Sequence, residues 1–387
     1  MDAVADVPND GPGAPPHVIA VWQGGTASAH PGEHAALRQA VVDGRLAGVD
    51  LVYTSPVSAG GYDAIDGGRL LREVEELVND RSASVLYLQH FHGRNLPDVR
   101  PLVQRLRIRR DPLVVVTSCG DPLGAPGNPV PEPLRWAAAV SDLVLVTSMG
   151  RLAAKLRRYG APRVTLVPLA TDALRLPDVV PGAIEDDVVF VGSRVGRNPF
   201  RRHRWVARRR HQMVEALQRR FGSRFALYGL GWEGAAAWRG PVPYDQQLEV
   251  MARGAVVVGG YPGSLEPFYM SDRPFTALRS GRPLVDHRVD GVGSILEDGR
   301  DWVLTGDTES MVSAVEALLS DPGRSGRLAT DGAQAVRDRH LVGHRVDLRL
   351  RMIAEILRAR AERRAPRCPE LSYLRPAAAP AGLSLGW

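Results

Sequence analysis

Several things are scarce in this chain, and each shortage argues against a class of function. Among 387 residues there are two cysteines, Cys119 and Cys368. They lie far apart, and neither has a CxxC or Cys/His zinc spacing, which speaks against a disulfide framework and a structural zinc site. A reduced, cytoplasmic setting is expected. Lysine is almost missing. The 49 basic side chains are nearly all arginine, with Lys155 a rare exception, and they are spread along the chain. The net charge of +6 therefore reads as a habit of composition, and no nucleic-acid partner is expected. No apolar run reaches the roughly 18 residues of a transmembrane helix. The opening MDAVADVPNDGPGAPP is acidic and proline-rich, unlike a signal peptide. The Gly24-Gly25-Thr26 turn after the first strand is not GxGxxG, so a nicotinamide or flavin site is disfavoured. No short-period repeat is present.

What is there suits a two-domain globular protein. Hydrophobic residues make up 44%, and 40 Gly and 30 Pro imply many turns. Apolar runs at 17–23, 49–54, 84–89, 113–117, 143–147 and 163–168 alternate with amphipathic stretches. Continuous Val/Leu/Ile runs with helical crossovers predict a parallel sheet covered on both faces. Residues 1–16 read as a disordered tail and 17–171 as the first doubly wound domain. A Pro-rich polar linker is expected at 172–186. Alternation then restarts, with strands near 187–192, 225–228, 255–259, 283–285 and 302–304, giving a second such domain over 187–342. A final helix at 343–364 is expected to pack across both domains, followed by a Pro/Ala-rich tail, disordered or draped on the surface, at 365–387. The predicted class is α/β: two doubly wound parallel-sheet, Rossmann-like domains.

In such sheets ligands bind beyond the carboxyl ends of the strands. Gly24 and Gly25 follow the first strand and would let a phosphate or sugar approach the backbone. His90 and His92 follow the third; either could serve as a base or bind a sugar hydroxyl. Asp121, on the loop Ser118-Cys119-Gly120-Asp121-Pro122, is a candidate base or merely a turn-former. No carboxylate or cysteine stands at ligand spacing from the histidines, so no metal is expected. In the second domain Arg194, in VGSR, could fork onto a diphosphate. Gly229, in the turn YGLGW, would let a base or ribose lie close, and Trp232 is equally consistent with packing. The arginines at 201–210 read as a solvated helix face. Ser271, Asp272 and Arg273 open the helix of SDRPFTALRSGRPLV, where free amides and a cation would hold a phosphate.

FVGSR, YGLGW, GPVPYDQQLEVMARGAVVVGG, SDRPFTALRSGRPLV and LEDGRDWVLTGDTESMVSAVEALLSDP, in that order, resemble the second half of group 1, family 4-like glycosyltransferases. They look most similar to the spore maturation subgroup. The resemblance implies a GT-B architecture, with a nucleotide-sugar donor held mainly on the second domain and an acceptor mainly on the first. It also implies that no metal cofactor is needed. Gly24 and Gly25 would face the diphosphate, and Ser271, Asp272 and Arg273 would approach the donor. Family members often carry a ribose-binding Glu where this chain has Thr276, and Glu266 lies at a different spacing from the usual pair.

The implied activity is transfer from a UDP- or GDP-linked sugar to a hydroxyl of a small molecule or glycan, with Asp121, His90 and Arg273 as catalytic candidates. The resemblance leans to a retaining reaction, and the arginine-rich usage to bacterial secondary metabolism. Thr276 keeps open a catalytically degenerate protein that binds a nucleotide sugar or a partner glycosyltransferase. A nucleotide-sugar epimerase of similar architecture is a further alternative.

Overall fold

A strand buried on both faces needs apolar side chains on both, and the runs of this chain supply them. In the computed structural model they form two six-stranded sheets, each wholly parallel. The structure describes residues 14–22, 30–54, 66–93, 95–109, 112–125, 128–194, 204–260, 266–375 and 387, with the backbone alone at 204–205. The first sheet holds β1 (His17–Trp22), β2 (Gly48–Tyr53), β3 (Val85–Leu88), β4 (Val114–Cys119), β5 (Leu143–Val146) and β6 (Val164–Leu166). Its crossovers are α1 (Pro31–Val42), α2 (Gly67–Asp80), α3 (Arg100–Arg109), α4 (Glu132–Val140) and α5 (Arg151–Arg158). The second sheet holds β7 (Asp186–Val191), β8 (Phe225–Tyr228), β9 (Trp238–Gly240), β10 (Gly254–Val258), β11 (Leu284–His287) and β12 (Val303–Thr305). Around it lie α6 (Arg204–Phe221), α7 (Gln247–Ala252), α8 (Arg273–Arg279), α9 (Thr308–Ser320) and α10 (Pro322–Arg339).

The strand orders are β2-β1-β3-β4-β5-β6 and β12-β11-β10-β7-β8-β9. The order reverses between β1 and β3 in one sheet and between β7 and β10 in the other. Each reversal opens a crevice at the carboxyl ends of those strands. α2 illustrates how the crossovers form. Asp66 caps its first turn, accepting from the Arg69 amide at 2.9 Å. Leu70, Val74 and Val78 recur every four residues and are all buried.

The linker and the end of the chain tie the domains together. Thr171 exchanges backbone hydrogen bonds with His340 and Val342, both 3.1 Å. α11 (Val342–Ala361) then runs back over the first domain. Arg345 donates to the Pro168 carbonyl at 2.9 Å, and Arg360 to the Leu113 carbonyl at 2.8 Å. The tail expected to be disordered or draped is anchored as far as 375. Tyr373 is fully buried with its hydroxyl on the Leu166 carbonyl at 2.7 Å, and Arg375 pairs with Glu297 at 2.6 Å. Composition hid this, because one aromatic among prolines is enough to hold the segment.

Two other details differ from the sequence reading. β9 has only three residues, too few for a period. Residues 292–296, whose pattern reads as a short helix, hold a single 3-10 turn, Val292–Ser294, entered from Gly291 at φ +85°.

Candidate active site

The two crevices face each other, and the first domain contributes a histidine pair. His90, at φ +47°, follows β3, and its Nδ1 accepts the Gly120 amide at 2.9 Å. The ring packs so tightly on Gly120 that a Cβ there would have no room. Burial and the nearby His92 lower the His90 pKa to about 4. His90 is thus neutral at physiological pH with its proton on Nε2. It can donate a hydrogen bond there but cannot take a proton, so this arrangement assigns it a donor's part and not the base's. The His92 Nε2 lies 3.4 Å from the Asp121 carboxylate. Asp121 forms the turn with its carbonyl, which accepts from Leu123 at 2.9 Å, while its side chain is 59% exposed. The turn-forming reading of Asp121 therefore holds, and its carboxylate is left exposed to solvent. Cys119 is a buried core thiol, pushed up to about 12 by burial.

Behind these groups lies a sealed network. Glu33 accepts from Gln89 at 3.1 Å and from the Arg349 guanidinium. Arg349 also donates to the Tyr87 hydroxyl at 2.8 Å, which donates to Ser118 at 2.9 Å. Burial opposes both charges, but their contact prevails. Glu33 is held below the usual carboxylate range, and Arg349 is held high by Tyr87 and Glu33.

The second domain presents a cavity of about 200 Å³ at the ends of β10 and β11, lined among others by Arg210, Tyr269, Ser271, Arg273 and Asp286. Arg210, which the sequence placed on a solvated face, is 7% exposed and donates to the Ser193 carbonyl at 2.9 Å. It is the residue sequence reasoning missed. In a run of arginines only its spacing from Met213, Val214 and Leu217, all buried on the same helix, marks it. Burial, then the neighbouring Arg273, lower Arg210 to about 10. Burial raises Asp286 to about 7, against the pull of the His287 amide, Arg273 and Arg210. Tyr269 is pushed up to about 12 by burial and by the charges of Asp121 and Asp272, one from each domain.

The remaining candidates divide. Ser271 and Arg273 line the cavity. Asp272 stands at the N-cap of α8 but makes no side-chain cap; its carboxylate accepts the Tyr244 hydroxyl at 2.6 Å. Pro274 in the first turn has no N–H, so the helix start offers fewer donors than expected. Thr276 does not face the cavity. It is 3% exposed, with its hydroxyl 3.2 Å from that of Thr171 and donating to the Asp272 carbonyl. Arg194 lies over the Trp232 ring, 5.7 Å from its centroid, and is not among the residues lining the cavity. Gly229, at φ +130°, presses on the Gly192 carbonyl, 2.5 Å from where its Cβ would be. Trp232 donates to the same carbonyl at 2.7 Å, so this turn serves packing. Gly24 and Gly25 lie outside the described residues. Among the described residues no group of three His, Cys, Asp or Glu side chains is placed to hold a metal ion, and no helix is long and apolar enough to cross a membrane.

Residues 203–351 match a protein-family model described as glycosyl transferase-like. No curated protein matches the chain in sequence. Among solved structures it is similar to sucrose-phosphate synthase from Thermosynechococcus elongatus, at 15% identity and a TM-score of 0.59, covering 89% of this chain and 100% of that one. A glycosyltransferase from Rickettsia africae gives 8% identity and a TM-score of 0.59, covering 89% and 99%. HepE of Anabaena, solved in complex with UDP-glucose, gives 16% and 0.56, covering 89% and 100%. Residues 203–351 thus form a glycosyl transferase-like domain within a two-domain fold of GT-B type.

Proposed function

We propose that the protein transfers a sugar from a nucleoside diphosphate donor, UDP- or GDP-linked, to a hydroxyl of a small molecule or glycan. The observation that carries this is the cleft itself. Arg210 and Arg273 sit at the strand ends of the second domain, opposite His90 and Asp121 of the first. The donor would lie on the second domain, its diphosphate against the two guanidiniums and Ser271. Charge that develops on the leaving diphosphate would be met by cations already in place, with no metal cofactor required of the protein. HepE supports the donor class by being solved with UDP-glucose.

The bond from the anomeric carbon to the diphosphate oxygen breaks, and one to the acceptor oxygen forms. In the retaining course we favour, the acceptor proton passes to the departing phosphate. His90, with its proton on Nε2, donates to a sugar or acceptor hydroxyl. Asp121 orients the acceptor and would be the base only in an inverting course. The affinity of its motifs to spore maturation glycosyltransferases and a role in bacterial secondary metabolism belong to this same reading.

A panel of UDP and GDP sugars tests it. Release of nucleotide with a glycosylated product is expected for one donor. Binding without turnover on any acceptor would favour the degenerate alternative, for which Thr276 speaks. A changed sugar nucleotide with no acceptor added would indicate an epimerase.

A further inference from the structure

The loop carrying Tyr269, Ser271 and Arg273 into the cavity is held at its start by the other domain. Glu266 belongs to the second domain, yet its Oε2 accepts the Arg151 amide at 2.9 Å. That amide opens α5 of the first domain. Gly150, at the N-cap with φ +131°, has no side chain to cap the helix, and a Cβ there would strike the Glu266 carboxylate. The Arg151 guanidinium lies 3.4 Å from Oε1, and the carboxylate is 11% exposed. An anion at a helix start meets both unpaired amides and the positive end of the dipole. One residue on, the Pro267 carbonyl accepts the Met149 amide at 2.9 Å.

The next residue is fixed by its own domain. Phe268 takes φ +66°, an unusual conformation for a bulky side chain that persists only when its surroundings enforce it. Its amide donates to the Asp290 carbonyl at 2.7 Å, and its ring lies where a Cβ of Gly291 would be. Tyr269 closes the turn onto the Glu266 carbonyl at 3.1 Å. Three successive residues are thus tied to the first domain, the first domain and the second, and the cavity wall starts immediately after them.

We propose that Glu266 is a positioning residue, which sets the cavity loop 269–273 by capping α5 across the cleft and so couples closure of the two domains to the shape of the donor site. This rests on the donor reading above. When the domains part, the carboxylate leaves the helix start and the strained turn at Phe268 loses one of its two anchors. Glu266 itself lines no part of the cavity.

The test uses the full chain, with Glu266→Ala, Glu266→Gln and Gly150→Ala, each checked for folding by circular dichroism. X-ray scattering without ligand is expected to show Glu266→Ala more expanded than the parent. Glu266→Gln, whose amide oxygen can still accept from Arg151, is expected to fall between them. Gly150→Ala attacks the same contact from the other domain and should match Glu266→Ala. UDP should bind Glu266→Ala about fivefold more weakly, the low end of ordinary coupling between sites, and the double variant should lose little more than either single one. Superimposable scattering curves for parent and Glu266→Ala overturn the proposal, as does equal UDP affinity. If UDP fails to bind the parent, the UDP-donor reading is what fails, and the ligand-free scattering still decides the role of Glu266.

Discussion

Two arginines near the cleft are treated in opposite ways. Arg349, under the first domain, is 14% exposed and shared between Glu33 and Tyr87. Arg273, on the second, is partly exposed, lines the cavity and makes no ion pair among the described residues. The first is a charge spent on holding α11 against the sheet that carries His90. The second is a charge left available for an anion. Arginine count alone could not separate them; the partner within reach does.

The largest effect should come from breaking the sealed pair. Arg349→Ala strands the Glu33 carboxylate away from water, which costs about 3–5 kcal/mol. Urea unfolding should show it as a marked fall in midpoint. Glu33→Gln in the same chain should recover part of the loss, because the stranded charge is gone. A loss below about 1 kcal/mol would mean that the network is open to solvent, and the contrast with Arg273 would collapse.

Arg273→Ala should do the reverse. It removes no ion pair, so stability should stay within about 0.5 kcal/mol of the parent. Transfer should fall at least about tenfold, through lost stabilisation of the leaving diphosphate. Initial rates with a saturating donor, read beside a melting curve, separate the two quantities. Normal turnover would take Arg273 out of the donor site.

Asp286 sharpens the comparison, because it sets how much cationic charge the cavity shows. Its folded pKa of about 7 stands above the ordinary 3.8. Between those values the folded protein keeps a proton that the unfolded chain has released, so stability falls as pH rises across that window. Ionised, Asp286 also cancels part of the field of Arg210 and Arg273. UDP binding by the parent should therefore weaken as pH rises through about 7. Asp286→Asn should flatten that slope and raise the melting temperature at pH 8, with the gain shrinking toward pH 4. Parallel pH profiles for the two proteins would show that the carboxyl is not buried beside the arginines.

These cases also show what could be read from sequence. The doubly wound domains were legible because strands buried on both faces must be apolar throughout, as in β3 and β5. The placing of Asp121, His90 and Arg273 at strand ends was legible because residues that follow the strands of such a sheet gather at its carboxyl edge. Arg210 was not, since a buried arginine and a solvated one look alike within an arginine run. Nor was the plugging of the α5 start by Glu266, because contacts across 115 positions leave no local pattern. Gly229 and Trp232 carried a true signal of close approach, but the approaching group is the Gly192 backbone and not a ligand.

The smallest effect on donor binding is expected at Thr276, which stands where the resemblance led one to expect a ribose-binding Glu. Its hydroxyl meets Thr171 and the Asp272 carbonyl inside the domain junction, and Thr171 also accepts from Arg279 at 3.2 Å. Thr276→Val keeps the shape and removes one hydroxyl. Thr171 still accepts from Arg279, but its own hydroxyl loses the Thr276 oxygen as acceptor, so the cost should fall in the ~1–3 kcal/mol range of a buried group left unpaired. UDP affinity should not change measurably, since the side chain does not line the cavity. A clear loss of affinity would mean that the Thr276 hydroxyl turns toward the ribose when donor binds. The α8 face would then have to rotate away from Thr171, and the closed junction described here would be only one of two arrangements.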